Sequence, residues 1–367
     1  MLIAAALSLA IWAYLLLAHG YFWQHGPFLP PKILASAAPP VAIIVPARDE
    51  APTIARALKT LLAQDYPGDL RVILVDDGST DGTGTIARAL DDPRLTVLTG
   101  KPRPRGWSGK LWALAQGVQA SKAELLLFTD ADIEHAQGHL AALVAKLERD
   151  KLDLVSEMVA LNCDSLAEQA LVPAFVYFFA LLYPFAQVNN PRSPTAAAAG
   201  GTVLIRRAAL HRIGGLEAMC GALIDDVTLA SMVKRGGGIY LGHSRFAASI
   251  RPYPHPMDVW RMIARTAYVQ LEFSPLLLAF TVLGMLLVFM VPPAAALAGH
   301  GLARPAGLLA WAAMAVSFLP TLWRFRLSAA WAPLLPVAAL FYTAATVGSA
   351  ADHMRGRGVV WKRRSYS

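Results

Sequence analysis

The sequence predicts an α/β domain with a mostly parallel sheet, flanked at both ends by apolar segments that cross a membrane. Short apolar runs alternate with amphipathic helical stretches from residue 41 to about residue 132, the pattern of a parallel sheet with helices on both faces. The 367 residues are 56% hydrophobic and only 16% charged, where a soluble chain carries about 25% charged residues. That apolar excess gathers near the two ends, which is what membrane segments require.

Residues 2–18 carry no charge and are just long enough to cross a bilayer, and Tyr21 and Trp23 follow as interface residues. A cleaved signal peptide is the rival reading. It lacks a basic leading region, and the Ala35-Ser36-Ala37 triplet lies too far beyond the apolar stretch. Residues 1–23 therefore read as a transmembrane helix, and residues 24–40, rich in Pro and Ala, as a linker. VAIIVP (41–46) suits a buried parallel strand. Residues 51–64 form a helix with Ile54, Leu58, Leu61 and Leu62 on one face. LRVILVDD (70–77) is a second strand, 83–90 a helix, RLTVLTG (94–100) a third strand, 109–121 a helix, and ELLLFTDAD (124–132) a fourth strand. Ligands of such sheets bind outside the carboxyl ends of the strands.

Residues 171–188 are apolar, but two prolines and many aromatics favour an interfacial or re-entrant helix. The stretches 275–298, 305–322 and 330–350 approach spanning length. Lys and Arg of the first half follow residue 30, which places the α/β domain on the cytoplasmic side. Four spans would put both termini outside, whereas Arg355, Arg357, Lys362, Arg363 and Arg364 make the tail 351–367 basic and favour the inside. Either one apolar stretch does not cross, or the tail breaks the positive-inside rule. The net charge of +8 suits anionic lipid or a phosphorylated ligand; the basic residues are too scattered for a nucleic-acid stripe. Cys163 and Cys220 are far apart and lack metal-ligand spacing, which fits a reducing compartment.

The chemistry gathers where strands end. Asp76 and Asp77 close the second strand and point to opposite faces, so one can fix the turn while the other meets a base N–H or a ribose hydroxyl. Ser79, Thr80 and Asp81 also read as plain turn and cap residues. GTGTIA (82–87) imitates a dinucleotide fingerprint, but it follows the second strand, and the first turn, VPARDEAP, has no glycine. In FTDADIEH (128–135), Asp130 and Asp132 share a face if the strand continues through them, and two hard oxygen donors suit Mg²⁺ or Mn²⁺ bridging to a diphosphate. Solvated carboxylates in a strand-end turn are the plainer reading. His135 and His139 read as a surface helix face rather than a zinc pair, with no third ligand of that kind nearby. Asp225 and Asp226 open a helix; Asp225 is a candidate N-cap, and a partly desolvated Asp here is a candidate general base. Lys110 and Arg48 are candidates for phosphate contact or simple surface charges. The small residues of AAAAGGTVLIRR (196–207) suit a backbone close to a ligand, or a tight loop.

Taken in order, IIVPARDE, VDDGSTDGT, FTDAD, GGTVLIRR and LIDDVTLA resemble the family 2 glycosyltransferases of GT-A fold over residues 41 to about 270. The membrane layout, GWSGKLWAL (106–114) and RTAYVQLEFSP (265–275) look most like the bacterial hopene-associated glycosyltransferases. The resemblance implies that Pro46, Ala47 and Glu50 line the base and ribose and that Asp77 accepts from the uracil N–H. It places Lys110 near the diphosphate, Asp130 by the ribose and phosphate, and a divalent metal on Asp132 with Asp130. Asp226 would be the catalytic base, and Asp225 stands where the family has Glu. Of the Gln-x-x-Arg-Trp motif of polymer-forming members only Arg265 survives, which favours a single transfer. The implied protein is a multi-pass enzyme of the bacterial cytoplasmic membrane that moves a sugar from a UDP-sugar to a lipid, with a hopanoid-related lipid as the candidate. Residues 41–270 would be its cytoplasmic domain, with 171–188 and 256–272 interfacial, 275–350 three spans, and 351–367 the basic tail. Trp260, Arg261 and Arg265 would pass the lipid to the site. The alternatives are a nucleotidyltransferase, which needs a glycine-rich basic loop after the first strand, and a non-catalytic nucleotide-binding membrane protein, for which three acidic pairs are superfluous.

Overall fold

Val41–Ala47 form the first strand, β1, and Val41 through Val45 are wholly shielded from solvent. Branched side chains dominate it because they fit a pleat covered on both faces. A computed structural model describes residues 1–24, 26–31, 38–356, 359–361 and 364–366. Part of the linker read at 24–40, including Ala35-Ser36-Ala37, and Arg357, Lys362 and Arg363 of the tail lie outside the described residues.

The chain forms two compact units. The first comprises Pro27–Asn162 and Gln187–Arg251. In it β2 (Leu70–Asp76) pairs with β1, β3 (Leu95–Thr99) with β2, and β4 (Leu125–Thr129) with the other side of β1, all in parallel. The connecting helices, Ala51–Leu62, Thr83–Arg88 and Gly109–Gln119, fall where the apolar periodicity puts them. The first buries Ile54, Leu58, Leu61 and Leu62. With β5 (Ile133–His135), β6 (Leu154–Ala160), β7 (Thr202–Arg206) and β8 (Ile239–Ser249) the order becomes β3-β2-β1-β4-β7-β6-β8-β5. The sheet is mixed: β7 runs antiparallel to β4 and β6, and β5 antiparallel to β8. The chain leaves β1 toward β2 and β3, then returns to β4 on the opposite side. That reversal opens a crevice at the carboxyl ends of β1 and β4, where such sheets take ligands.

The hydroxyl-rich turn after β2 is a brace. Gly78 and Gly82 adopt φ of 72° and 90°, a region that glycine enters without penalty. Asp76 Oδ1 accepts the Ser79 amide at 2.9 Å and closes the turn. Ser79 Oγ, Thr83 Oγ1 and Asp81 Oδ2 then accept the amides of Asp49, Glu50 and Ala51 at 3.0, 2.8 and 2.9 Å. These donors stand at the start of the helix Ala51–Leu62, where amides have no intrahelical acceptor. A Cβ on Gly84 would strike Asp76 Oδ2, so packing, not a dinucleotide, accounts for the glycine in GTGTIA.

The second unit comprises Met1–Gly26, Cys163–Ala186 and Pro252–Ser367. Segments 163–186 and 252–270, read from the sequence as part of the α/β domain, cluster here. Three helices, Pro275–Ala298, Ala303–Arg324 and Ala329–Met354, are long and apolar enough to cross a membrane. The helix Leu2–Leu17 is apolar but has 16 residues, short of the roughly 20 that a crossing needs. Leu166–Leu182 buries Leu171, Ala174 and Tyr177 in the apolar core of this unit. Leu276, Phe280 and Leu283 stay exposed, as side chains facing lipid would. Pro292 has no N–H to offer the carbonyl of Val288 one turn earlier, and the helix loosens into a π turn over Leu286–Met290. Trp12 Nε1–H donates to that carbonyl at 2.9 Å and replaces the missing bond.

Candidate active site

Lys110 stands in the first turn of Gly109–Gln119, a helix capped by Ser108, whose side chain accepts the Leu111 amide. Its Nζ lies 3.1 Å from Asp130 Oδ1 and 3.2 Å from Asp225 Oδ2. Asp130 follows β4, while Asp225 and Asp226 occupy the first turn of the helix Asp225–Lys234. Asp226 Oδ2 accepts the Gly200 amide at 2.8 Å, and Oδ1 the Val227 amide at 2.8 Å. A Cβ on Gly200 would sit 3.1 Å from Lys110 Nζ and 3.3 Å from Asp226 Oδ2. The small-residue run thus lets backbone approach charged groups. Pro46, Phe128, Lys110, Gly200, Asp225 and Asp226 share the lining of one pocket.

The charges tune one another. Burial and then the Asp225 carboxylate push Asp226 up to about 6, against the pull of Lys110 and the two amides. Burial raises Asp130 as well; Lys110 opposes this and Asp132 and Asp225 add to it. Burial works against the Lys110 ammonium, but Asp130, Asp225 and Asp226 outweigh it and hold the group well above its ordinary range. A carboxylate poised near neutrality beside a fixed ammonium is suited to proton transfer next to an anionic ligand.

A second cluster joins Glu50 and Asp132. Arg251 Nε donates to Asp132 Oδ2 at 2.5 Å, and Nη2 lies 2.7 Å from both oxygens of Glu50. Arg251 follows β8, and the sequence reading missed it. The available signal was a lone basic residue just past a strand end. Asp77 is buried, its amide donates to the Ala47 carbonyl at 2.9 Å, and Arg48 Nη1 donates to the Asp77 carbonyl at 2.6 Å. β2 ends at Asp76, one residue short of the expected strand, and Asp76 serves the turn, as one of the pair was expected to. Asp77 and Asp132 are not in the pocket lining that Asp226 shares with Pro46.

Three expectations need correction. β4 ends at Thr129, so Asp130 and Asp132 lie in a turn rather than on one strand face, and they take separate basic partners. Ile224, not Asp225, is the N-cap of its helix. His135 and His139 are not a surface face: both are buried and bond to each other, Nδ1 to Nδ1, at 2.8 Å. Asp130 and Asp132 still fit a divalent cation. They are hard oxygen donors, each paired with a basic side chain, and among the described residues no group of three or more His, Cys, Asp or Glu is placed to hold a metal ion by itself. Mg²⁺ and Mn²⁺ are commonly held by one or two carboxylates with phosphate oxygens of the substrate.

Residues 42–214 match the family described as Glycosyl transferase family 2. The chain carries a family 2 glycosyltransferase domain. It is 26% identical over 231 residues to the probable glycosyltransferase YdaM of Bacillus subtilis (strain 168), covering 61% of this chain and 52% of that protein. It is 28% identical over 201 residues to the beta-monoglucosyldiacylglycerol synthase of Nostoc sp., covering 54% of this chain and 42% of that one. The chain spans about half or less of the length of these curated relatives. Among solved structures, the mannosyltransferase PcManGT from Pyrobaculum calidifontis, in complex with GDP-Man and Mn²⁺, aligns with a TM-score of 0.56 at 22% identity. The alignment covers 95% of this chain and 99% of that one, and it shows a shared fold. The family 2 domain is thus a GT-A sheet, with its acidic groups at the carboxyl rim of β1, β2 and β4.

Proposed function

We propose that the protein is an inverting glycosyltransferase that moves a sugar from a UDP-sugar to a lipid at the cytoplasmic face of a bacterial inner membrane. The observation that carries this reading is the meeting of Lys110, Asp130, Asp225 and Asp226 beside Gly200 at the mouth of the β1–β4 crevice. In the proposed step Asp226 takes the proton of an acceptor hydroxyl. The acceptor oxygen forms its bond to the anomeric carbon as the bond from that carbon to the diphosphate oxygen breaks, and UDP leaves. The ammonium of Lys110 faces the charge that grows on the departing diphosphate, and Asp225 helps to hold that ammonium in place. Asp77, Pro46, Ala47 and Glu50 would receive the base and ribose, with Arg48 and Asp130 toward the phosphates. Asp132, with Asp130, would hold the divalent cation, which when bound neutralises phosphate charge.

A lipid acceptor is supported by the three spanning-length helices on the same chain. It is also supported by relatives named for lipid products, the beta-monoglucosyldiacylglycerol synthase and a 4,4'-diaponeurosporenoate glycosyltransferase, the latter 30% identical over 112 residues. The hopene-associated resemblance points to a hopanoid within that class. The test supplies purified protein with bacterial lipid extract, Mn²⁺ or Mg²⁺, and in turn UDP-glucose, UDP-N-acetylglucosamine and GDP-mannose. A new glycolipid from a UDP-sugar, lost on chelation, supports the reading. Transfer from GDP-mannose alone would overturn the donor assignment, and absence of any glycolipid would overturn the reaction.

A further inference from the structure

Four buried side chains that the reaction above does not use form one hydrogen-bonded chain behind the site. Glu157 Oε2 lies 2.9 Å from His139 Nε2, His139 Nδ1 lies 2.8 Å from His135 Nδ1, and His135 Nε2 lies 2.9 Å from Thr129 Oγ1. Thr129 Oγ1 donates to the carbonyl of Gly201 at 2.8 Å. All four side chains are shielded from solvent, and Glu157 Oε1 has no hydrogen-bond partner among the described residues.

The end of the chain fixes its direction. A carbonyl only accepts, so the single hydroxyl proton of Thr129 is committed to Gly201. His135 Nε2 must then be the donor to Thr129. Burial and the neighbouring His139 hold His135 well below its ordinary pKa, so its ring is neutral and its Nδ1 accepts from His139 Nδ1–H. One further proton lies between His139 Nε2 and Glu157. The three bonds from His139 onward thus point the same way, toward the Gly201 carbonyl. The adjacent residue, Ser156, grips the same loop directly: its Oγ accepts the Ala199 amide at 2.9 Å and donates to the Thr202 carbonyl at 2.9 Å. Between those anchors the Gly200 amide donates to Asp226 Oδ2.

We propose that Glu157, His139 and His135 are positioning residues, which through Thr129 pin the Gly201 carbonyl and so hold the Gly200 amide against Asp226. The inference rests on Asp226 being the base. Hydrogen bonding to an ionised carboxylate favours that form. Loosening the loop therefore raises the Asp226 pKa and moves the acid limb of kcat to higher pH.

The test uses the full chain, with nucleoside diphosphate release from UDP-glucose in the presence of membrane lipid extract, and amide hydrogen exchange of the segment 199–202. Thr129→Val and His139→Leu are expected to move the acid limb up by about half a unit to one unit, the effect of one lost hydrogen bond, with the donor KM unchanged. Both are also expected to speed exchange at 199–202. Thr129→Ser, which keeps the hydroxyl, and Glu157→Gln, whose amide can bond His139 Nε2 in either direction, should keep the parent limb. If Thr129→Val does not fold, Glu157→Leu carries the same comparison. An unmoved limb and unchanged exchange, with Asp226→Asn inactive, overturn this inference alone. Asp226→Asn turning over at the parent rate overturns the base assignment and the inference together.

Discussion

Lys110 Nζ lies 3.1 Å from Asp130 Oδ1, and the pair ties the first turn of one helix to the turn that follows β4. The same ammonium reaches Asp225, so one cation balances carboxylates from two distant parts of the chain. Lys110→Met leaves those carboxylates to repel one another. We expect kcat/KM to fall by roughly a hundredfold or more, the usual effect of losing a charge-stabilising group. Steady-state kinetics across pH will also show the acid limb moving upward, because Lys110 no longer opposes the rise of Asp226.

The Asp226 carboxyl is raised from 3.8 to about 6, chiefly by burial and then by Asp225. As the proposed base, Asp226 would work when ionised, so activity is expected to rise as pH passes through about 6. Stability runs the other way. A group whose folded pKa exceeds its unfolded value contributes stability that is complete below about 3.8 and is lost as pH climbs through about 6. Thermal melts of the parent and Asp226→Asn across that window should diverge, with the variant losing less as pH rises.

Arg251 shares its guanidinium between Asp132 and Glu50. Arg251→Met removes the cation shared by two largely buried carboxylates and should cost roughly 1–3 kcal/mol, less than for a fully buried pair because Arg251 is a third exposed. The same change removes a positive charge beside Asp132, so Mn²⁺ alone should bind about tenfold more tightly. Calorimetric titration with Mn²⁺ in the absence of any sugar nucleotide reads this directly.

Replacing a helical glycine with alanine normally stabilises by about 1 kcal/mol. Gly117 should behave in the opposite sense. A Cβ there runs into Cγ2 of Ile44, a branched side chain that is wholly buried in β1 and cannot turn aside. Gly117→Ala is expected to lose roughly 1–3 kcal/mol in denaturant unfolding, and to cost less when introduced into an Ile44→Ala background than into the parent.

Trp12→Phe keeps most of the apolar contact with Phe289 but deletes the donor to the Val288 carbonyl. A carbonyl left unpaired in a partly buried, apolar setting costs up to about 1–3 kcal/mol. The variant should melt earlier in detergent than Trp12→Tyr if the phenol reaches the carbonyl, and both should melt earlier than the parent.

The legible part of the sequence was periodic. Alternating strands and helices from 41 to 132 gave the parallel half of the sheet, and uncharged runs gave the three long C-terminal helices within a few residues. The strand-end pattern singled out Asp130, the helix-opening pair singled out Asp225 and Asp226, and Lys110 was read as a phosphate contact; the structure brings the four together. The places where reading failed are places where partners lie far away in sequence. β4 stops at Thr129 because β5 must turn to reach β8, a pairing over a hundred residues distant that no local pattern announces. Two histidines one helical turn apart look like a wet surface until Glu157, on another strand, is known to meet them. Arg251 is invisible for the same reason: its value lies in Glu50 and Asp132, neither of them near in the chain.

The indole of Trp12 and the carbonyl it serves are 276 residues apart. At translation rates of about 5–20 residues per second, the ribosome needs roughly 14–55 s to make the chain between them. For that time the nascent N-terminal helix must wait without its partner. Assembly of the apolar unit is therefore a late event in synthesis, after the sheet with its acidic rim has already emerged.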